Sequence, residues 1–209
     1  MSWQPVPFDE VFEDATGGNL KTLRRDYLQV GKYPIVDQGQ ELIGGYTDDP
    51  ERLCKVPTPA IIFGDHTRTL KYIDFPFCVG ADGTKVLRPK GGANPKYLFY
   101  ALHRVDIPEA GYSRHFKFLK RAQIPYPPLE EQRRIAAILD QADALRRQRQ
   151  RWLDRLNMLA QAIFYEMFGE CTGNSNLVQL GAVASIRSST VNPTEDKFSQ
   201  LPHVSPEHI

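Results

Sequence analysis

Residues 127–169 run PPLEEQRRIAAILDQADALRRQRQRWLDRLNMLAQAIFYEMFG and enclose the longest stretch of the chain free of Gly and Pro. Two prolines open it, a glycine closes it, and no Gly or Pro occurs between Leu129 and Phe168. Those are start and stop marks for one helix. At about 1.5 Å per residue it would be roughly 60 Å long. Heptads read from Ile135 place Ile135, Ala142, Arg149, Leu156 and Ile163 at a, and Ile138, Leu145, Trp152, Leu159 and Glu166 at d. Leu139, Leu153, Ala160 and Met167 form a third row at e. Such a stripe is not stable alone in water, so the helix must lie against another helix. The expected pairing face is Ile135, Ile138, Leu145, Trp152, Leu156, Leu159 and Ile163. Arg149 interrupts the seam and would set register or meet a partner.

Upstream, residues 1–128 mix short apolar runs with turn signals. YPIV (33–36), AIIFG (60–64), FCVG (77–80) and TKVLRP (84–89) are β-like in length and composition. Gly44-Gly45, Asp48-Asp49-Pro50 and Gly91-Gly92 punctuate them as turns. Asn94-Pro95 opens a short helix, with Asn94 at the N-cap, Pro95 at the first helical position and Tyr97, Leu98, Ala101 and Leu102 on one face. The expected fold class is α+β: one mixed domain over 1–128, then a single long coiled-coil-type helix over 129–168.

Downstream, GECTGNSN (169–176) reads as a polar linker. Residues 177–209 echo the start of the chain. Val6-x-Phe8-x-x-Val11 matches Val178-x-Leu180-x-x-Val183, and a Ser/Thr/Gly-rich segment follows each. This predicts the start of a second, uncompleted copy of the first domain at about 177.

The net charge of +1 conceals a strong asymmetry. Residues 1–67 carry six Lys/Arg against eleven Asp/Glu, whereas 68–127 carry eleven against four. The densest basic part is Arg114, His115, Lys117, Lys120 and Arg121, interleaved with Tyr112, Phe116, Phe118 and Tyr126. Such a cluster can meet nucleic-acid phosphates and release counterions. A solvated face whose aromatics pack inward is the alternative. Apolar residues at 41% and charged residues at 24% are globular proportions that fit neither a disordered tail nor a fibre. No apolar run reaches the roughly 18 residues of a membrane span. MSWQPVPFDEVFED lacks the basic and apolar regions of a secretion signal, and Cys54, Cys78 and Cys171 cannot all pair. A reducing cytoplasm is therefore the expected location.

Catalytic chemistry is hard to find. Asn94-Pro95-Lys96-Tyr97 lacks the second proline of an adenine-methyltransferase tetrapeptide, and no G-x-G-x-x-G or Walker A loop occurs. No Pro-Asp pair supports a nuclease, so Glu195-Asp196-Lys197 reads as a charged loop. The cysteines lack zinc-site spacing, and no metal site is expected. Gly64-Asp65-His66 has no accompanying nucleophile motif and reads as a turn after the AIIF strand.

The long helix opens with Pro128, Leu129, Glu131, Gln132, Ile135, Ala136 and Leu139, a pattern that resembles the P-L-x-E-Q-x-x-I-A-x-x-L of type I restriction-modification specificity subunits. YPIVDQGQELIGGYTDD (33–49) resembles the family's segment ending in I-G-Y-T, and TKVLRP followed by NPKYLFYAL resembles the end of its target-recognition domain. The resemblance covers about 30–169, and 177–209 resembles the start of a second recognition domain. It implies a non-catalytic subunit that reads one half of a split double-stranded DNA target. An adenine methyltransferase subunit would bind S-adenosylmethionine, leaving no cofactor in this chain, and a restriction/translocase subunit would complete the complex. The family's plan has two recognition domains and two antiparallel helices, where this chain has one helix and one complete domain.

On that reading, Gln38 and Gln40 would pair with adenine edges, and Arg68 and Arg114 with guanine. Tyr46, His66, Thr67, Lys71, His115, Lys117 and Lys120 would serve phosphate or groove positioning. Leu139, Leu153 and Met167, on the spare edge of the helix, would dock the methyltransferase subunit. The pairing face would make the chain a homodimer through 130–168. A coiled-coil scaffold without sequence-specific DNA binding is the rival reading, and a fused methyltransferase-specificity enzyme is a second.

Overall fold

A computed structural model describes residues 3–108, 113–169 and 178–185. The chain divides into two units, Met1–Gln150 and Arg151–Ile209. The first holds ten strands, β1 (Pro5–Pro7), β2 (Phe12–Asp14), β3 (Lys21–Thr22), β4 (Tyr33–Val36), β5 (Gly45–Thr47), β6 (Ala60–Gly64), β7 (Leu70–Ile73), β8 (Cys78–Gly80), β9 (Thr84–Pro89) and β10 (Gln123–Pro125). Among them lie the helices α1 (Phe8–Val11), α2 (Pro95–Leu102) and α3 (Phe116–Leu119), and α4 (Leu129–Phe168) follows. The four strands read from the sequence are present as β4, β6, β8 and β9, the third one residue shorter than FCVG. The class is α+β, as expected.

The strands form one antiparallel sheet in the order β2-β9-β6-β7, one mixed sheet in the order β3-β8-β4-β5, and a small pair β1-β10. In the mixed sheet β8 runs parallel to both β3 and β4. The strand β6 is buried on both faces, and its period-two alternation divides the core. Ile61 and Phe63 join Phe8, Phe12, Leu87, Leu98, Leu102, Phe116 and Leu119 under the helices. Ala60 and Ile62 join Val36, Ile73, Phe77, Val79 and Val86 on the opposite side. A run such as AIIF, apolar throughout rather than alternating, is what a strand covered on both faces requires.

The caps behave as their residue types dictate. Asn94 Oδ1 accepts the Tyr97 N–H at 2.9 Å, with Pro95 in the first turn. The start of α4 is held by Gln132, which is only 1% exposed. Its Nε2 donates to the Pro127 carbonyl at 2.8 Å, and its Oε1 accepts the Asn94 N–H at 2.9 Å. The Tyr97 hydroxyl then donates to the Pro125 carbonyl at 2.7 Å. Ala136 and Ile135 pack against the domain core beside this bond set. Ile135 is therefore engaged inside the first unit, and the exposed part of the expected pairing face begins at Ile138.

Beyond that point α4 presents Ile138, Leu145, Trp152, Leu156, Leu159 and Ile163 to solvent, between 46% and 66% exposed. No helix among the described residues is long and apolar enough to cross a membrane. In the second unit a short helix, α5 (Leu180–Val183), stands 172 residues after α1 (Phe8–Val11), at the same offset as the sequence echo. Most of the segment 170–209 lies outside the described residues.

Replacing Gln132 by Leu removes both bonds and strands the Asn94 N–H and the Pro127 carbonyl. A buried group left without a partner costs about 1–3 kcal/mol. The expected outcome is a loss of about 2 kcal/mol in the urea unfolding of the first unit. A midpoint unchanged from the wild type would show that the bracket contributes nothing.

Candidate nucleic-acid interface

Three loops meet at one end of the two large sheets: Asp37–Gly44 after β4, Asp65–Thr69 between β6 and β7, and Ala81–Gly83 between β8 and β9. Backbone and side-chain hydrogen bonds join them. The Asp65 N–H donates to the Gly83 carbonyl at 2.6 Å. The His66 N–H donates to Gln38 Oε1 at 3.2 Å, and the Thr67 hydroxyl donates to the Gln38 carbonyl at 2.6 Å. Gly83 must be glycine here. Its φ is +70°, and a Cβ would lie 2.6 Å from Gln38 Oε1 and 2.7 Å from His66 Cδ2.

The loops border a cleft of about 510 Å³ whose lining includes Arg24, Gln38, Gln40, Glu41, Thr67 and Asp82. Asp37 and Tyr27 belong to the same lining. The Tyr27 hydroxyl faces Asp37 Oδ2 at 3.4 Å. Burial, reinforced by that carboxylate, pushes the phenol well above its ordinary pKa. Carboxylates outnumber the single arginine in this lining, which disfavours a phosphate and suits the amino groups on base edges.

The basic segment is tied to these loops by Asp65. This residue is 4% exposed, and its Oδ1 accepts the Phe116 N–H at 2.8 Å. Its carbonyl accepts the His115 N–H at 2.8 Å and faces His115 Nδ1 at 2.9 Å. Since a carbonyl can only accept, Nδ1 carries the imidazole proton. Phe116 and Leu119 then point into the core, while Arg114, Lys117, Lys120 and Arg121 remain exposed. Lys117 and Lys120 lie against the Phe118 and Phe116 rings, and Lys120 stands 3.9 Å from Asp9. The structure thus contains both features of the earlier alternative, an exposed basic row and aromatics that pack inward.

The sequence-predicted residues separate accordingly. Gln38, Gln40 and Thr67 share the cleft, Gln40 exposed and Gln38 with its carbonyl side committed to the β6–β7 turn. His66 is half-buried in that turn. Arg68, at a φ of 60°, reaches the Ile107 carbonyl at 3.4 Å. Tyr46 lies apart in β5, bridging Leu28 through its backbone. Two expectations need correction. Lys71 is 5% exposed and bonds backbone carbonyls, so its ammonium does not face a phosphate. His115, at 2% exposure, holds the Asp65 turn instead of presenting its ring. Tyr112 and Cys171 lie outside the described residues.

Asp37, Tyr27 and Asp65 carry the site's framework, and the sequence reading assigned them no part in it. Their roles depend on partners 10 to 51 residues away, which no local pattern reports. Among the described residues no group of three His, Cys, Asp or Glu is placed to hold a metal ion. On α4, Leu139 borders a groove of about 840 Å³ with Trp3, Tyr97, Tyr100 and Ile135, while Leu153 and Met167 are exposed further along.

Residues 1–154 match the family model of the type I restriction modification DNA specificity domain. The chain is 27% identical over 158 residues to the type I restriction enzyme EcoR124I/EcoR124II specificity subunit of Escherichia coli, covering 69% of this chain and 39% of that protein. The S subunit of a type I restriction-modification system from M. genitalium superposes with a TM-score of 0.60 at 18% identity, over 82% of this chain and 47% of that one. A chain from a structure on complex assembly and conformational transition of the type I R-M system gives 0.55 at 26% identity, over 78% and 44%. This chain therefore spans less than half the length of each.

Removing the Asp65 carboxylate tests the link between loops and basic segment. Asp65→Ala should cost about 1–2 kcal/mol, the worth of a lost cap with a stranded N–H. A thermal melt measures it, and an unchanged transition would mean that the capping bond carries no weight.

Proposed function

This chain belongs to the type I restriction-modification DNA specificity family, and on that premise we propose that it selects one half of a split DNA target. The observation that carries this reading is the unbroken bonding from loop Asp37–Gly44 through the Asp65 turn to the exposed row Arg114–Arg121. It joins a cleft suited to base edges to cations suited to phosphates. Gln40 and the Gln38 amide read bases in the groove, with Arg68 and Arg114 as guanine-facing candidates. Lys117 and Lys120 position the backbone, together with Thr67; Tyr46 and His66 belong to the surrounding surface.

Members of this family are specificity subunits without catalysis of their own, and we extend that role to this chain. S-adenosylmethionine would then reside on an adenine methyltransferase subunit. Leu139, Leu153 and Met167 would meet that subunit, and a restriction/translocase subunit would join the full complex in the cytoplasm. The boundaries proposed are a recognition domain over 1–128, a spacer helix over 129–168, a linker over 169–176 and a second recognition domain opening at 177. The matching offsets of α1 and α5 support the last of these.

The exposed stripe of α4 supports self-association. Leaving six large apolar side chains in water is costly, at about 1.5–3 kcal/mol each if fully buried elsewhere. An antiparallel pair about a two-fold axis would cover them and set two identical domains at opposite ends, giving a palindromic, interrupted target. In a longer chain a second helix would take the twin's place, and the target would be asymmetric. Light scattering should give twice the 23.8 kDa chain mass at micromolar concentration. A monomer with the helix intact by circular dichroism would overturn the dimer.

Gel shifts at about 50 and 200 mM salt separate DNA binding from a pure scaffold, since phosphate-driven binding falls steeply between them. The double variant Lys117→Ala/Lys120→Ala should weaken binding to all sequences alike and flatten the salt slope by about one to two units. An unchanged slope would place this row away from DNA.

A further inference from the structure

Among the described residues Lys71 is the only buried lysine or arginine. It sits on the edge strand β7, opposite Ile62, and its Nζ leaves the sheet toward the loop after β4. There it donates to the Asp37 carbonyl at 2.7 Å and to the Glu41 carbonyl, with Asp37 Oδ1 at 3.7 Å. Those two carbonyls flank the tripeptide Gln38-Gly39-Gln40. One ammonium therefore closes the base of the loop that carries both glutamines.

The rest of the loop is arranged around the same point. Asp37 Oδ1 also accepts the Gly39 N–H at 2.8 Å, and the Gly44 N–H returns to the Ile35 carbonyl at 2.9 Å. Gly44 passes so close that a Cβ there would lie 2.7 Å from Asp37 Oδ2. Thr67 also fastens the Gln38 carbonyl. A buried ammonium is tolerated only where oxygens replace its water, and here all of them come from this loop.

We propose that Lys71 is a positioning residue for sequence selection: by clamping the carbonyls of Asp37 and Glu41, it holds the Gln38–Gln40 tip in the shape that reads base edges. The inference rests on the DNA-reading function above and deepens it. A lysine that contacts phosphate is exposed, binds all sequences alike and adds about one unit to the salt slope. A clamp does the opposite. It leaves the slope alone and acts on the margin between right and wrong sequences, because a loop ordered in advance loses less on binding.

The test uses the full chain. Wild-type protein enriches duplexes from a random-sequence pool, and affinities for an enriched duplex and for the unselected pool are measured between about 50 and 200 mM salt. In Lys71→Met the enriched-to-pool ratio should fall about tenfold, the scale of a lost base contact, with the slope on pool DNA unchanged. Amide exchange at Gly39 and Gly44 should quicken in the same variant. A preserved ratio overturns the proposal, and so does a slope reduced by about one unit, which would put Lys71 on a phosphate. Should Lys71→Met lose its cooperative melt, Lys71→Gln replaces it as the test. That variant keeps a polar donor on a shorter, uncharged side chain; its ratio should fall about threefold, and an unchanged ratio overturns the clamp. Wild-type protein that enriches nothing overturns DNA reading itself before any variant is made.

Discussion

The buried amide of Gln132 is the constraint on which the rest of the first unit depends. It belongs to the opening turn of α4, yet both its polar ends are spent outside that helix, on Pro127 and on the backbone of Asn94. Asn94 in turn caps α2, and Tyr97 of α2 bonds Pro125 in β10. Three elements thus meet through four bonds around an amide that is almost wholly buried. An amide can do this because it offers a donor and an acceptor on one rigid plane. A carboxylate would supply no donor for Pro127, and a leucine would supply neither.

The candidate interface divides its charges rather than mixing them. Acid lines the cleft, where Glu41 and Asp82 stand near the glutamines, and base occupies the exposed row from Arg114 to Arg121. The two zones share a mechanical link in Asp65, whose side chain and carbonyl both engage the start of α3. A chain whose net charge is +1 therefore carries a strongly basic face beside a cleft lined with acceptors.

Legibility followed the range of the determining interaction. The helix α4 and the strands β4, β6 and β9 announce themselves by runs and breaks within a few residues, and α2 by an Asn-Pro start. The strands β1 and β10, three residues each and rich in proline, exist because they pair with one another across the chain, Val6 opposite Ile124. Nothing local reports that. Lys71 was legible as a cation and not as a buried one, since its three oxygens come from residues at least thirty positions earlier. His115 misled for the same reason, standing in a basic run while its ring belongs to a turn fifty residues away.

The grip of Lys71 on its loop has a consequence for inheritance. Two of its three contacts are main-chain carbonyls, present whatever side chain occupies the position. The residue at 40 can then be exchanged without disturbing what holds it, whereas Gln38 spends its own Oε1 on the His66 N–H and is less free to change. Variation at the tip becomes a search over chemistry at fixed geometry, and a population of such proteins can drift toward new preferences by single substitutions that leave folding untouched.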